Sequence, residues 1–183
     1  MNIRLAIGSV AATIALTASS AAVATPHHAA AATPLHELAS LRHATAKYHS
    51  IAVAEQNHYA LLTDTHGIAC IDMPGMGGMG IHWANSTLVG NPAIVANQPE
   101  ALVYAPTHDG TLRLAAVEYV VIKSAWDAKH RVPPKLFGHT FNLTTAPNRF
   151  GLPAFYSLHV WAWKHNPAGT FEMWNPHVTC PST

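Results

Sequence analysis

Four side chains with metal-binding chemistry recur at an interval of three in Met73-Pro-Gly-Met76-Gly-Gly-Met79-Gly-Ile-His82. Thioether and imidazole are the soft and borderline ligands that copper takes, and the intervening glycines leave the backbone free to bring them to one point. The same composition suits a turn whose methionines fill gaps in a core, so the stretch needs partners elsewhere to count as a site. Glu118 is one candidate. In Leu112-Arg-Leu-Ala-Ala-Val-Glu-Tyr-Val-Val-Ile122, period-two alternation puts it on one face with Leu112, Leu114, Ala116, Val120 and Ile122. A carboxylate on such a face loses several kcal/mol of hydration unless a metal, a histidinium or an arginine such as Arg42 or Arg149 compensates it. His159 is the other candidate. In Phe155-Tyr-Ser-Leu-His-Val-Trp-Ala-Trp163 it shares a face with Ser157, Trp161 and Trp163, while Tyr156, Leu158, Val160 and Ala162 form an ordinary core face. With Trp83 as a further wall, the first face reads as an aromatic recess holding one imidazole.

His82, Glu118 and His159 supply two imidazoles and one carboxylate from three strands, a donor set suited to iron, zinc or manganese. Met79 as an added ligand turns the preference to copper. His49 and His177 are reserve ligands, and Met73 and Met76 are expected to form only the glycine-spaced approach to the site. The chain has no Gly-x-Ser-x-Gly, no His-Glu-x-x-His and no phosphate-binding loop. Catalysis is therefore expected only as a sub-case that uses the metal.

The elements that must position these residues are readable in outline. Thr33-Pro34 starts a helix, with a hydroxyl to cap free amides and a proline where its missing N–H costs nothing. Leu35, Leu38, Leu41, Thr45 and Tyr48 then follow helical spacing, and Ser50 caps a second helix through Tyr59. Strands are expected within Leu61–Asp72, Gly80–Val89, Ala101–Ala105, Thr111–Lys123 and Phe155–Trp163. The third and fourth form a hairpin around Asp109-Gly110. Residues 126–154 read as loop-rich.

Residues 1–24 have the pattern of a signal peptide: a basic Arg4, an apolar run from Leu5 to Leu16 and a small-residue cleavage site at Ala22-Val-Ala24. Residues 25–33 are an alanine-rich leader, and 34–183 form a single domain. No later stretch approaches the roughly 20 apolar residues of a membrane-spanning helix. In an oxidising compartment Cys70 and Cys180 are expected to pair, closing a loop of about 110 residues. The formal charge is only +1, without a basic run, so nucleic acid and anionic membrane surfaces are not expected partners. Histidine stands out, with 14 copies against 10 of lysine plus arginine. That balance fits either metal binding or a charge that rises steeply below about pH 6.5.

An ordered set of motifs runs along the chain: His43-Ala-Thr-Ala-Lys-Tyr-His49, Pro74-Gly-x-Gly-x-Met-Gly-Ile-His-Trp83, Pro99-Glu-Ala-Leu-Val-Tyr104, Val117-Glu-Tyr-Val-Val121, Leu158-His-Val-Trp-Ala-Trp-Lys-His-Asn-Pro167 and Trp174-Asn-Pro-x-Val-x-Cys180. In these the chain resembles a group of exported bacterial proteins of unknown function. The resemblance implies export and a single domain, and no activity.

The expected fold is α+β: an N-terminal helical segment packed on an antiparallel sheet of four to five strands, with one disulfide. A small cupin-like β-barrel is the alternative. The expected function is that of a secreted or periplasmic metal-binding protein, copper first and zinc or iron next. The alternatives are a small-molecule binding module with a Trp-walled recess, and an envelope interaction protein without a site.

Overall fold

A computed structural model describes residues 33–181. The expected signal peptide and nearly all of the leader lie outside the described residues. Helix α1 (Pro34–Thr45) opens where the Thr33 hydroxyl accepts from the His36 amide, and a 3-10 turn (Ala46–His49) leads to α2 (Ile51–Gln56), capped by Ser50. Leu41, Tyr48 and Ala54 are buried, whereas Leu35 in the first turn is exposed. The apolar stripe therefore begins one turn later than its spacing implies.

The strands are β1 (Ala60–Leu61), β2 (Cys70–Met73), β3 (Gly77–Ala84), β4 (Ala101–Pro106), β5 (Leu112–Ile122), β6 (Lys135–Leu136), β7 (His139–Thr140), β8 (Asn142–Thr144) and β9 (Phe155–Val160). Short helices α3 (Ser86–Val89) and α4 (Lys123–Asp127) follow β3 and β5. Seven strands make one antiparallel sheet in the order β1-β3-β4-β5-β9-β8, with β2 also paired to β3. Strands β6 and β7 pair separately. The main sheet stays open, so the molecule is α+β and not a closed barrel. It exceeds the expected four to five strands because the strand expected within Leu61–Asp72 divides into β1 and β2 and because β8 is too short to show a periodicity.

Two expected strands are interrupted by capping side chains. Between β1 and β2 the Asp64 carboxylate accepts from the amides of His66 and Ile68, holding a turn. After β3, the Asn85 carbonyl accepts from the amides of Thr87 and Leu88 and starts α3 where the strand was expected to continue. The β4–β5 hairpin forms as expected, turning through Gly110 at a φ of 80°.

A β-bulge sets the phase of β5. Val103 pairs with Ala116 but Tyr104 with Leu114, leaving Ala115 as the extra residue. Leu112 and Leu114 therefore pack with Val117, Tyr119 and Val121 under the helices, not on the face of Glu118 as strict alternation implied. The helix-side core also takes in Trp83, Leu102, Tyr104, Leu158 and Val160.

On the opposite face Val103, Ala105, Ala116 and Trp161 pack with Val178 of the C-terminal tail. The tail enters through paired amide–carbonyl bonds between Asn175 and Gly78 and is fastened by the Cys70–Cys180 disulfide. A Cβ on Gly77, whose φ is +95°, would fall 2.1 Å from the Asn175 carbonyl oxygen, and one on Gly78 would fall 2.8 Å from Val178 Cγ1. The glycines of the methionine run thus admit the tail; they do not gather the methionines. Among the described residues no helix is long and apolar enough to cross a membrane.

Candidate functional site

Strand register brings the anomalous side chains together. Ala84, Ala101, Glu118 and His159 lie in one row across β3, β4, β5 and β9. His82, two residues before Ala84, shares their face. Its imidazole reaches across the small side chains of β4, placing Nε2 3.4 Å from Glu118 Oε2. The His82 and His159 rings meet edge to face, with centroids 5.9 Å apart, and Trp161 flanks His159 at 4.7 Å. His82 and His159 are each 2% exposed and Glu118 is 8% exposed.

Burial sets the charge states. Desolvation pushes the Glu118 carboxyl upward, but the His82 contact and the neighbouring His159 and Ser157 side chains outweigh it and hold the acid below its ordinary value. Desolvation drives His159 down to about 4, with His82 adding to the effect and Glu118 opposing it. The site at neutral pH is an ionised carboxylate beside a neutral imidazole, the protonation state of a ligand set. His82 Nε2 has only the long contact with Glu118, and both ring nitrogens of His159 are buried with no hydrogen-bond partner. Neither proposed arginine serves Glu118. Arg149 pairs with Asp64 at 2.8 Å, and Arg42 donates to the Ala162 carbonyl.

The other candidate residues are dispersed. Met79 is buried three residues before His82, while Met73 and Met76 are exposed at the tip of the β2–β3 hairpin. His49 and His177 share a groove of about 820 Å³ with His108, Arg113 and Lys164, and none of the His82, Glu118 and His159 set lines it. The expected tryptophan recess does not form. Trp83 stacks edge-on with Tyr104 in the helix-side core. β9 ends at Val160, and Trp163, its amide bound to the Ala115 carbonyl, swings toward His49 and donates its indole N–H to Thr45. Only Trp161 stays beside His159.

Glu100 is a buried titratable group that alternation could have found, because it is in phase with Leu102 and Tyr104. Its carboxyl accepts from the Val120 amide, and burial pushes it up to about 8. Burial raises the phenols of Tyr59 and Tyr119, and the nearby Glu100 carboxyl adds to both shifts.

Among the described residues no group of three His, Cys, Asp or Glu side chains is arranged to hold a metal ion as it stands. Compared with family models, curated proteins and solved structures, the chain matches none.

Proposed function

We propose that His82, Glu118 and His159 form a transition-metal centre, with copper as the first candidate and zinc or iron as alternatives, in a protein of the periplasm or the extracellular space. The observation that carries this reading is the pair of buried, unpartnered His159 nitrogens beside the His82–Glu118 contact, in which the carboxylate is ionised. Each such nitrogen costs about 1–3 kcal/mol of desolvation with no bond in return, a cost that a bound metal would offset.

The spacings support the same reading. Tetrahedral bonds of about 2.0–2.1 Å hold neighbouring ligand atoms about 3.3–3.4 Å apart, matching the 3.4 Å between His82 Nε2 and Glu118 Oε2. Imidazoles on one such metal have ring centres about 5.2 Å apart, and those of His82 and His159 stand 5.9 Å apart, so the two rings must close by a fraction of an ångström to share it. Completing the set takes a rotation of the His159 ring about its side-chain bonds. If Met79, the buried thioether three residues before His82, joined the set, it would bias the site toward copper. The disulfide supports an oxidising compartment, in keeping with the signal-like N-terminus.

Metal analysis of tag-free protein recovered from an exported form tests the proposal. One equivalent of metal is expected, with about tenfold or greater loss of affinity in His82→Ala and in His159→Ala. Substoichiometric metal, unchanged by both substitutions, overturns it.

A further inference from the structure

Glu118 has a second environment. It lines a cavity of about 340 Å³ floored by Ala84, Ala101 and Val120 of the sheet and covered by Val89 of α3 and by Phe150 and Leu152 of the loop before β9. Apart from Glu118 and Ser86, every side chain on its wall is apolar. The alanines of the site row make the space, since larger residues at those positions of a sheet would fill it. The covering loops are clasped: the Asp64–Arg149 ion pair at 2.8 Å and the Thr65 amide donating to the Arg149 carbonyl tie the turn after β1 to the segment holding Phe150.

Pockets that hold small molecules combine apolar walls with a few placed polar groups, and volumes of roughly 300–1,000 Å³ are usual. Here the one ionised group is a carboxylate, which offers only acceptors and repels anions. We infer that this cavity binds a small apolar molecule, one ring with a short chain, whose single hydrogen-bond-donating head, an ammonium or a hydroxyl, sits on Glu118. The site shares Glu118 with the metal centre but does not require the metal. His82 and His159 do not line the cavity.

Calorimetric titration of the chelator-treated full chain with 2-phenylethylamine, 2-phenylethanol and 3-phenylpropionate tests this inference. One or both donor-headed probes are expected to bind at millimolar concentration or below, and the acid at least tenfold more weakly. Binding by the amine alone identifies an ammonium site; binding by both identifies a hydroxyl-tolerant one. Glu118→Gln is expected to lower amine affinity at least tenfold. Val89→Phe, which fills the cavity from a surface helix, is expected to abolish binding of both probes while metal uptake remains that of the native chain. Equal binding of the acid, silence of both donor-headed probes, or indifference to Val89→Phe overturns it. Because the titration uses metal-free protein, failure of the metal proposal leaves the result intact.

Discussion

The two faces of the sheet treat polar groups in opposite ways. Under the helices, Tyr59, Tyr104 and Tyr119 each bury a ring and donate the hydroxyl to a backbone carbonyl, of Pro99, Tyr48 and Ala96 respectively. The Trp83 indole N–H is the only unpartnered buried side-chain polar atom found there among the described residues. On the other face the residues are small, the cover is a tail and two clasped loops, and the buried His159 ring has both nitrogens without partners. One face is therefore optimised for packing and the other gives up packing and hydrogen bonds. A local departure of that kind is what the proposed site would require, since sequences break packing and pairing rules chiefly at functional or strained positions.

The comparison breaks most severely when the tail is released. Replacing Cys70 and Cys180 with serine opens a loop of 110 residues and is expected to cost about 4–5 kcal/mol in the chain-entropy model. Urea unfolding measures that cost. Hydrogen exchange locates it: the amides of Gly78 and Asn175 should lose protection first, while those of β5, bonded to β4 and β9 in the middle of the sheet, keep theirs. Equal loss on both faces would show that the tail supports the whole sheet and not its site face alone.

A second test works on the polar set itself. His82→Leu alone leaves the Glu118 charge buried without its partner and is expected to cost about 3–5 kcal/mol, whereas converting His82, Glu118 and His159 to leucine together is expected to gain about 1–4 kcal/mol. Chemical denaturation of both variants in chelator reads the two signs. A harmless single substitution would show that His82 and Glu118 are not coupled. A destabilised triple variant would show that the set is structural.

Sequence reasoning picked out the side chains that strand register brings together and missed much of what surrounds them. Glu118 and His159 were visible because a charged or imidazole side chain interrupts an apolar alternation, a local signal. The helical segment and the β4–β5 hairpin were visible through caps, spacing and Asp109-Gly110. Three features depended on distant partners. The bulge at Ala115 exists where its carbonyl accepts the amides of Trp163 and Lys164, and that contact both shifts the phase of β5 and turns Trp163 out of the expected recess. The glycines after Met76 are required by Asn175 and Val178, about a hundred positions along the chain. The cavity beside Glu118 is made by α3 and the Phe150 loop, segments without a periodic signature of their own.

The smallest effect expected tests the helix-side face. Glu100 is buried on the helix side, accepts from the Val120 amide and has its carboxyl raised to about 8. Between the ordinary carboxylate value and that point the folded state holds a proton that the unfolded chain has released, so stability falls as pH rises through this window and levels off above it. His159 acts with the opposite sign. Its folded value of about 4 lies below the ordinary 6.5, so its contribution is lost as pH falls through that range and is constant above it. Metal-free protein between pH 7 and 8 therefore isolates Glu100. The native chain is expected to lose about 1 kcal/mol over that interval, and Glu100→Gln, which keeps the shape and has no proton to lose, should flatten the profile in thermal melts. An unchanged slope in Glu100→Gln would mean that the helix side holds its carboxyl in contact with water, and that the contrast between the faces is one of packing and not of desolvated charge.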